Sequence, residues 1–362
     1  YPCAPEIKKA MQDYISDGYF SYTPKTGFED FKKAFSSYVK RRKDENINPE
    51  YVLPIDSAAR GMDVIAKAFL KPGDEMIVFD PCDYLFREAC VQSGATPIFY
   101  PCKMDPEKRE MDLSDLEDYI TDKTKMIGLC NPHNPYGLLY SVEQLEFIMS
   151  LCEKHNLYIM NDEIWSDIIY SDAKFNSIYC LGNDRCKNVL SVFGYSKSFG
   201  LAGLRIGNIY CTNKENFNKV LEKSQVLSTA GGATSISMVA ATAAMNDSEY
   251  YLDGFIKHLE ENRNYAVDFI NKLPMLKAYR PKSTYLLYVD IKETGMEAEE
   301  FTEYLKKTVD LAIIPGGKKF FGDQSEGHVR ICFATSREIL EEGLNRLKEG
   351  VLTLAERNTN ND

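Results

Sequence analysis

This 362-residue chain has no Cys-x-x-Cys pair and no clustered histidines. Its ten cysteines are scattered, and its four histidines (133, 155, 258 and 328) stand apart, which argues against zinc-type sites and a disulfide framework. Cys130, Cys152, Cys211 and Cys332 fall within apolar runs, the pattern of buried thiols in a reducing cytoplasm. No apolar run approaches the roughly 20 residues needed to cross a bilayer. Basic residues gather only at Lys40-Arg41-Arg42-Lys43, broken by Asp44 and Glu45, which reads as a solvated helix end. With a net charge of −11, nucleic acid and anionic membrane are poor candidates as partners. Repeats, low-complexity segments and a secretory signal are also missing. The opening Tyr1-Pro2-Cys3-Ala4-Pro5 is an unusual start and reads as following further residues upstream.

What is present is ordinary globular composition, 44% hydrophobic and 27% charged, enough for a large core and two domains. Short apolar runs predict strands at 51–55, 75–79, 96–100, 126–130, 157–161, 189–193 and 207–211. Helical patterns fall between most of them, such as 60–70 and 141–155, the latter opened by a capping box from Ser141 to Gln144. This alternation predicts an α/β fold, a seven-stranded mostly parallel sheet with helices on both faces. A polar helix from about 255 leads to strand 285–291, helix 297–308, strands 311–314 and 328–333, and helix 336–350, a smaller α/β domain. The expected division is an N-terminal segment, 1–20, packing with the small domain, a large domain, 21–260, and a small one, 261–362.

Ligands of open α/β sheets bind beyond the carboxyl ends of strands. Lys197 follows strand 189–193 among small residues, eight positions before Arg205. A buried amine with a nearby guanidinium suits a phosphorylated aldehyde, which the lysine holds as a Schiff base and the arginine grips by its phosphate; a surface lysine with a structural arginine is the alternative. Asp162 ends strand 157–161, where a carboxylate needs a cationic partner such as a protonated pyridine nitrogen, or serves as a helix N-cap. Asn134, in Asn131-Pro132-His133-Asn134-Pro135, follows strand 126–130 in a rigid loop and also fits a plain turn. Ser57, Ala58 and Ala59 open a helix after strand 51–55, a place for a phosphate or for a simple serine cap. Arg330 lies inside an apolar strand and wants a carboxylate, from a substrate or from an internal salt bridge. Tyr22, before a Pro/Gly turn, is an interface or core aromatic.

The run Ser196-Lys197-Ser198-Phe199-Gly200-Leu201-Ala202-Gly203-Leu204-Arg205-Ile206-Gly207 resembles the cofactor-lysine signature of the class I/II aminotransferases, fold-type I enzymes that use pyridoxal 5′-phosphate (PLP). The resemblance extends from Tyr22 to Arg330. It implies Lys197 as the catalytic lysine, Asp162 on the pyridine nitrogen and Asn134 on the phenolic oxygen. It implies Ser57, Ala58, Ala59 and Arg205 on the phosphate, joined by Tyr22 from a neighbouring subunit, and Arg330 on the substrate α-carboxylate. A homodimer follows from Tyr22. Three positions depart from the family pattern. Trp165 stands where a tyrosine usually donates to the cofactor, Gly194 replaces a serine, and Asp83 takes the place of the ring-stacking aromatic, a role open to Tyr84. The Asn-Pro-His-Asn-Pro loop and the Asp162-Glu163-Ile164-Trp165-Ser166-Asp167 segment also resemble the cystathionine β-lyase-like branch. The expected activity is transfer of an amino group between an amino acid and a 2-oxo acid. A carbon–sulfur β-lyase is the alternative, and a non-catalytic PLP-binding regulator the remote one.

Overall fold

The computed structural model describes residues 1–104, 110–228 and 230–361. Nine strands precede residue 212: β1 (Val52–Ile55), β2 (Glu75–Asp80), β3 (Thr96–Pro101), the short pair β4 (Lys103–Met104) and β5 (Met111–Asp112), β6 (Thr124–Cys130), β7 (Tyr158–Asp162), β8 (Val189–Gly194) and β9 (Gly207–Cys211). Seven of them form one sheet in the order β1-β9-β8-β7-β6-β2-β3, in which only β9 runs against its neighbours. The β6 and β8 strands are apolar nearly throughout and buried on both faces, as strands covered by helices must be.

The helices are α1 (Pro5–Asp17), α2 (Glu29–Lys43), α3 (Ala58–Phe69), α4 (Tyr84–Gln92), α5 (Val142–His155), α6 (Lys214–Ser224), α7 (Ser235–Asp247) and α8 (Glu249–Ile270). Ser141 and Gln144 cap α5 reciprocally, as the sequence indicates. Phe193 of β8 meets Phe35 of α2, with ring centroids 5.7 Å apart, while its neighbour Val192 faces Gly61 of α3. Successive strand residues point to opposite faces, so α2 and α3 cover the two sides of the sheet. Gly61 allows the close approach of α3, since a Cβ there would lie 2.7 Å from Val192 Cγ1.

A second, antiparallel sheet follows, in the order β10-β11-β13-β12, made of β10 (Lys277–Ala278), β11 (Leu286–Asp290), β12 (Ile314–Pro315) and β13 (His328–Cys332). Helix α9 (Ala298–Val309) packs on it, and α10 (Arg337–Asn361) packs on α9 and α8. The strand expected at 311–314 is reduced to β12, and α8 begins at Glu249, ahead of its expected start. The helix runs unbroken across 260–261, so the expected division falls inside it. In the N-terminal segment, helix α1 packs on α7, the Tyr1 hydroxyl lies 2.7 Å from His258 Nε2 of α8, and Pro2 and Glu6 accept from the hydroxyls of Tyr251 and Tyr250 of the same helix.

The basic run 40–43 is not a solvated helix end throughout. The Lys43 side chain is 1% exposed and lies between Glu163 at 2.6 Å and Glu45 at 3.0 Å. The cause is helix geometry: Lys43 stands four residues after buried Val39 and eight after buried Phe35, on the face that α2 turns to the sheet.

Candidate active site

Strand register assembles the site. Asp162 pairs with Cys130 on one side and Val192 on the other, and Gly207 pairs with Gly194 and Ile55. The carboxyl ends of β1, β6, β7 and β8 therefore lie level, and the residues that follow them open into one cavity of about 440 Å³. Lys197, Asp162, Asn134, Arg205, Trp165 and Arg330 all line it, as do Ser57, Ala58 and Ala59. Gly194 lines it too, and a Cβ there would come 3.1 Å from Ile164 Cδ1. One residue expected from this chain is not brought to it. Tyr84 is the first residue of α4 and 47% exposed, while Asp83 and Leu85 on either side face the cavity. Tyr22 is 93% exposed and borders a separate hollow of about 160 Å³ with Pro54 and Gly231.

Asp162 is buried, and its Oδ1 accepts the Ile164 N–H at 3.0 Å. Burial pushes its pKa up to about 7, reinforced by the charges of Asp83 and Glu163 and resisted by the Ile164 N–H and Lys197. It forms no ion pair among the described residues. Burial, with the Arg330 charge, holds the Lys197 amine below the ordinary lysine range, against the pull of Asp83 and Asp162. Its Nζ lies 5.1 Å from the Trp165 ring centroid, and Trp165 is fixed edge-on to Tyr285 at 4.6 Å. The turn behind Lys197 is anchored by Ser198, whose hydroxyl donates to buried Asp167 at 2.6 Å.

At the other end, Ser57 caps α3 by accepting the Arg60 N–H at 3.2 Å, leaving the first-turn N–H groups pointing outward. Gly207 packs so tightly below that a Cβ would stand 2.8 Å from the Ala58 nitrogen. Arg205 adopts the left-handed region, φ 53°, and its side chain forms no ion pair among the described residues. Elsewhere on the wall, Arg330 of β13 donates to Asn134 Oδ1 at 3.2 Å, and Asn134 Nδ2 donates to Asp83 at 2.8 Å. The Arg330 guanidinium lies 4.7 Å from the Phe321 ring centroid, and burial lowers its pKa. The loop that carries Phe321 is fastened across the cavity rim. Asp80 at the end of β2 accepts the N–H groups of Asp323 and Gln324, both at 3.1 Å, and Cys82 donates its N–H to the Phe321 carbonyl at 2.8 Å.

These residues fit PLP on their own chemistry: a depressed amine, a buried carboxylate without a cation, a helix N-terminus with an arginine, and a glycine floor where a Cβ would intrude. Sequence reasoning does not place Tyr285, Leu286 or Cys332 in the lining, because the second sheet delivers them from far along the chain. No group of three or more His, Cys, Asp or Glu suited to a metal occurs among the described residues, and no helix there is long and apolar enough to cross a membrane.

Comparison with known proteins agrees with this geometry. The family described as aminotransferase class I and II matches residues 1–347. An aspartate aminotransferase of Pyrococcus horikoshii is 28% identical over 347 residues, covering 95% of this chain and 86% of its own. A cystathionine beta-lyase of Corynebacterium glutamicum is 29% identical over 344 residues, covering 95% and 89%. Among solved structures, a Clostridium difficile 630 protein with PLP bound superposes with a TM-score of 0.91 at 27% identity, covering 97% of this chain and 90% of its own.

Proposed function

The chain belongs to the class I and II aminotransferases, PLP-dependent enzymes, and from that premise we propose how its own residues carry out amino transfer. The cofactor, when bound, supplies an electron-accepting ring and the carbonyl carbon to which the amino group passes. The N–H groups at Ser57–Ala59 and the Arg205 guanidinium hold its phosphate. Asp162 sits ionised against the ring nitrogen, the cationic partner its burial calls for. Asn134 donates to the ring oxygen, and Trp165, a donor only, bounds the ring edge.

Arg330 grips the substrate α-carboxylate. Lys197, held below the usual lysine range, is free to take the proton from the substrate Cα and would hold it at Nζ for the return. The observation that carries this reading is the convergence of Lys197, Asp162 and Arg330 on one cavity. The substrates are an amino acid and a 2-oxo acid. Tyr22, almost wholly exposed, is assigned to the phosphate of a second copy in a homodimer. The ten cysteines are all free, which supports a reducing cytoplasmic setting. Two separate sheets support a large unit to about residue 260 and a small one from 261 to 362.

Borohydride reduction of the loaded enzyme followed by peptide mapping should place the cofactor on Lys197, and an amino-acid panel should give turnover that depends on an added 2-oxo acid. An adduct on another lysine refutes the assignment of Lys197. Release of pyruvate, ammonia and thiol without any oxo-acid dependence would install β-elimination, which begins with the same proton removal by Lys197.

A further inference from the structure

Beyond the residues assigned so far, we propose that Asp83 is a positioning and specificity-determining residue, which orients the Arg330 grip through Asn134 and excludes substrates with an acidic side chain. The inference rests on the function proposed above. Where the family resemblance leads one to expect a stacking aromatic, this chain puts a carboxylate facing the cavity. Asp83 is placed firmly: one oxygen accepts the Leu85 N–H at 3.1 Å, capping α4, and the other accepts Asn134 Nδ2 at 2.8 Å.

The chemistry of the partners fixes the Asn134 amide. A carboxylate at that position only accepts, and a guanidinium only donates. Asp83 must therefore face the amide nitrogen and Arg330 the amide oxygen, as the structure has them. The second N–H of Nδ2 is left to serve the cofactor oxygen. Without Asp83 the amide loses one of the two groups that fix its direction, and the acceptor it presents to Arg330 is held less firmly.

The charges around the cavity supply the specificity argument. Three basic side chains line it, and the function proposed above gives each a role: Lys197 carries the cofactor and then moves the Cα proton, Arg205 holds the phosphate and Arg330 the α-carboxylate. No cation among the described lining residues remains for a second substrate carboxylate. Of the three lining carboxylates, Asp162 faces the ring nitrogen and Asp56 is tied to the Ser57 hydroxyl at 2.8 Å beside the phosphate. Asp83 is left beside Asn134 and Arg330, and its charge is felt at Arg330, Lys197 and Asp162. An acidic side chain entering there meets repulsion from Asp83, and no further cation of this chain among the described lining residues offsets it. Apolar walls from Trp165, Tyr285, Leu286 and Leu85 accept an uncharged one. The substrate class is monocarboxylic amino acids.

The test uses the PLP-loaded enzyme and two amino acids that lack a Cα proton and bind without reacting, 2-aminoisobutyrate and 2-methylaspartate, each titrated by calorimetry. The wild type should favour 2-aminoisobutyrate by at least about tenfold, the value of one charge-assisted contact. Asp83→Asn and Asp83→Ser should bring that ratio close to one. Both variants keep an oxygen that caps α4, so each folds independently of the other's outcome. In turnover, both should raise KM for the amino acid about tenfold while kcat changes less than threefold, a split that a general loss of structure does not produce. Equal binding of the two ligands by the wild type, or a ratio unmoved in both variants, overturns the proposal. Should the enzyme prove to eliminate rather than transaminate, the binding ratios still answer for Asp83, because neither ligand reacts.

Discussion

Asp162→Asn in the cofactor-free protein isolates the energetic demand that the cofactor meets. The wild-type carboxylate is buried beside one N–H donor, and its pKa is pushed up to about 7. In the unfolded chain it returns to about 3.9. The folded state thus holds a proton that the unfolded state releases, and stability falls wherever the unfolded state binds fewer protons. The contribution is fully present below about pH 4 and is lost as pH rises through 7. Three pK units at about 1.36 kcal/mol each amount to about 4 kcal/mol, of which about 2.5 kcal/mol falls between pH 5 and 8. Asparagine has no such proton, so the variant should lack this component. Urea denaturation of both cofactor-free proteins at pH 5, 6.5 and 8 measures the difference. Glu45, raised to about 8 chiefly by burial, slopes in the same direction but is common to both proteins and cancels. The proposed pairing with the cationic ring nitrogen would keep Asp162 ionised in the loaded wild type, and the added slope should then vanish. Identical pH slopes for cofactor-free wild type and variant would refute the reasoning.

Lys43→Met removes the cation between two fully buried carboxylates and should cost about 3–5 kcal/mol. With the cation gone, Glu163 also takes up a proton in the folded state, so the loss should be larger at pH 8 than at pH 5; a loss below about 1 kcal/mol, or one independent of pH, contradicts this. The assignment of Tyr22 to a second copy predicts a dimer in sedimentation velocity and faster cofactor loss, by about tenfold, in Tyr22→Phe. A monomer with full activity at nanomolar concentration rules it out.

The parts of the site legible in the sequence are those set by strand ends. Lys197, Asp162 and Asn134 each follow an apolar run, and the parallel register brings such ends level without further information. What is not legible depends on side-chain direction or on distant chain. Tyr84 and Asp83 are adjacent, and only the start of α4 between them decides which one faces the cavity. Tyr285 arrives on the second sheet, and no local pattern announces it. The burial of Lys43 has a signal in the Phe35–Val39–Lys43 spacing, hidden within a run of four basic residues. Helix α7 escapes a reading by periodicity because its small apolar residues cover every face and leave no 3.6-residue period.

The contact between Asp80 and the 321–324 loop reads backbone rather than side chains. Asp323 and Gln324 take part only through their N–H groups, so any residue except proline can stand at either position without loosening the rim. Gly322 has no such freedom. Its φ is 113°, and a Cβ would overlap the Asp80 carboxylate. Phe321, one position earlier, covers Arg330. Four consecutive residues thus carry three different mutational regimes: an aromatic tied to the substrate grip, a glycine without substitutes, and two positions open to drift. Random mutagenesis of this loop should accumulate changes at 323 and 324 and spare 322, so that a purely structural contact leaves a record in sequence variation.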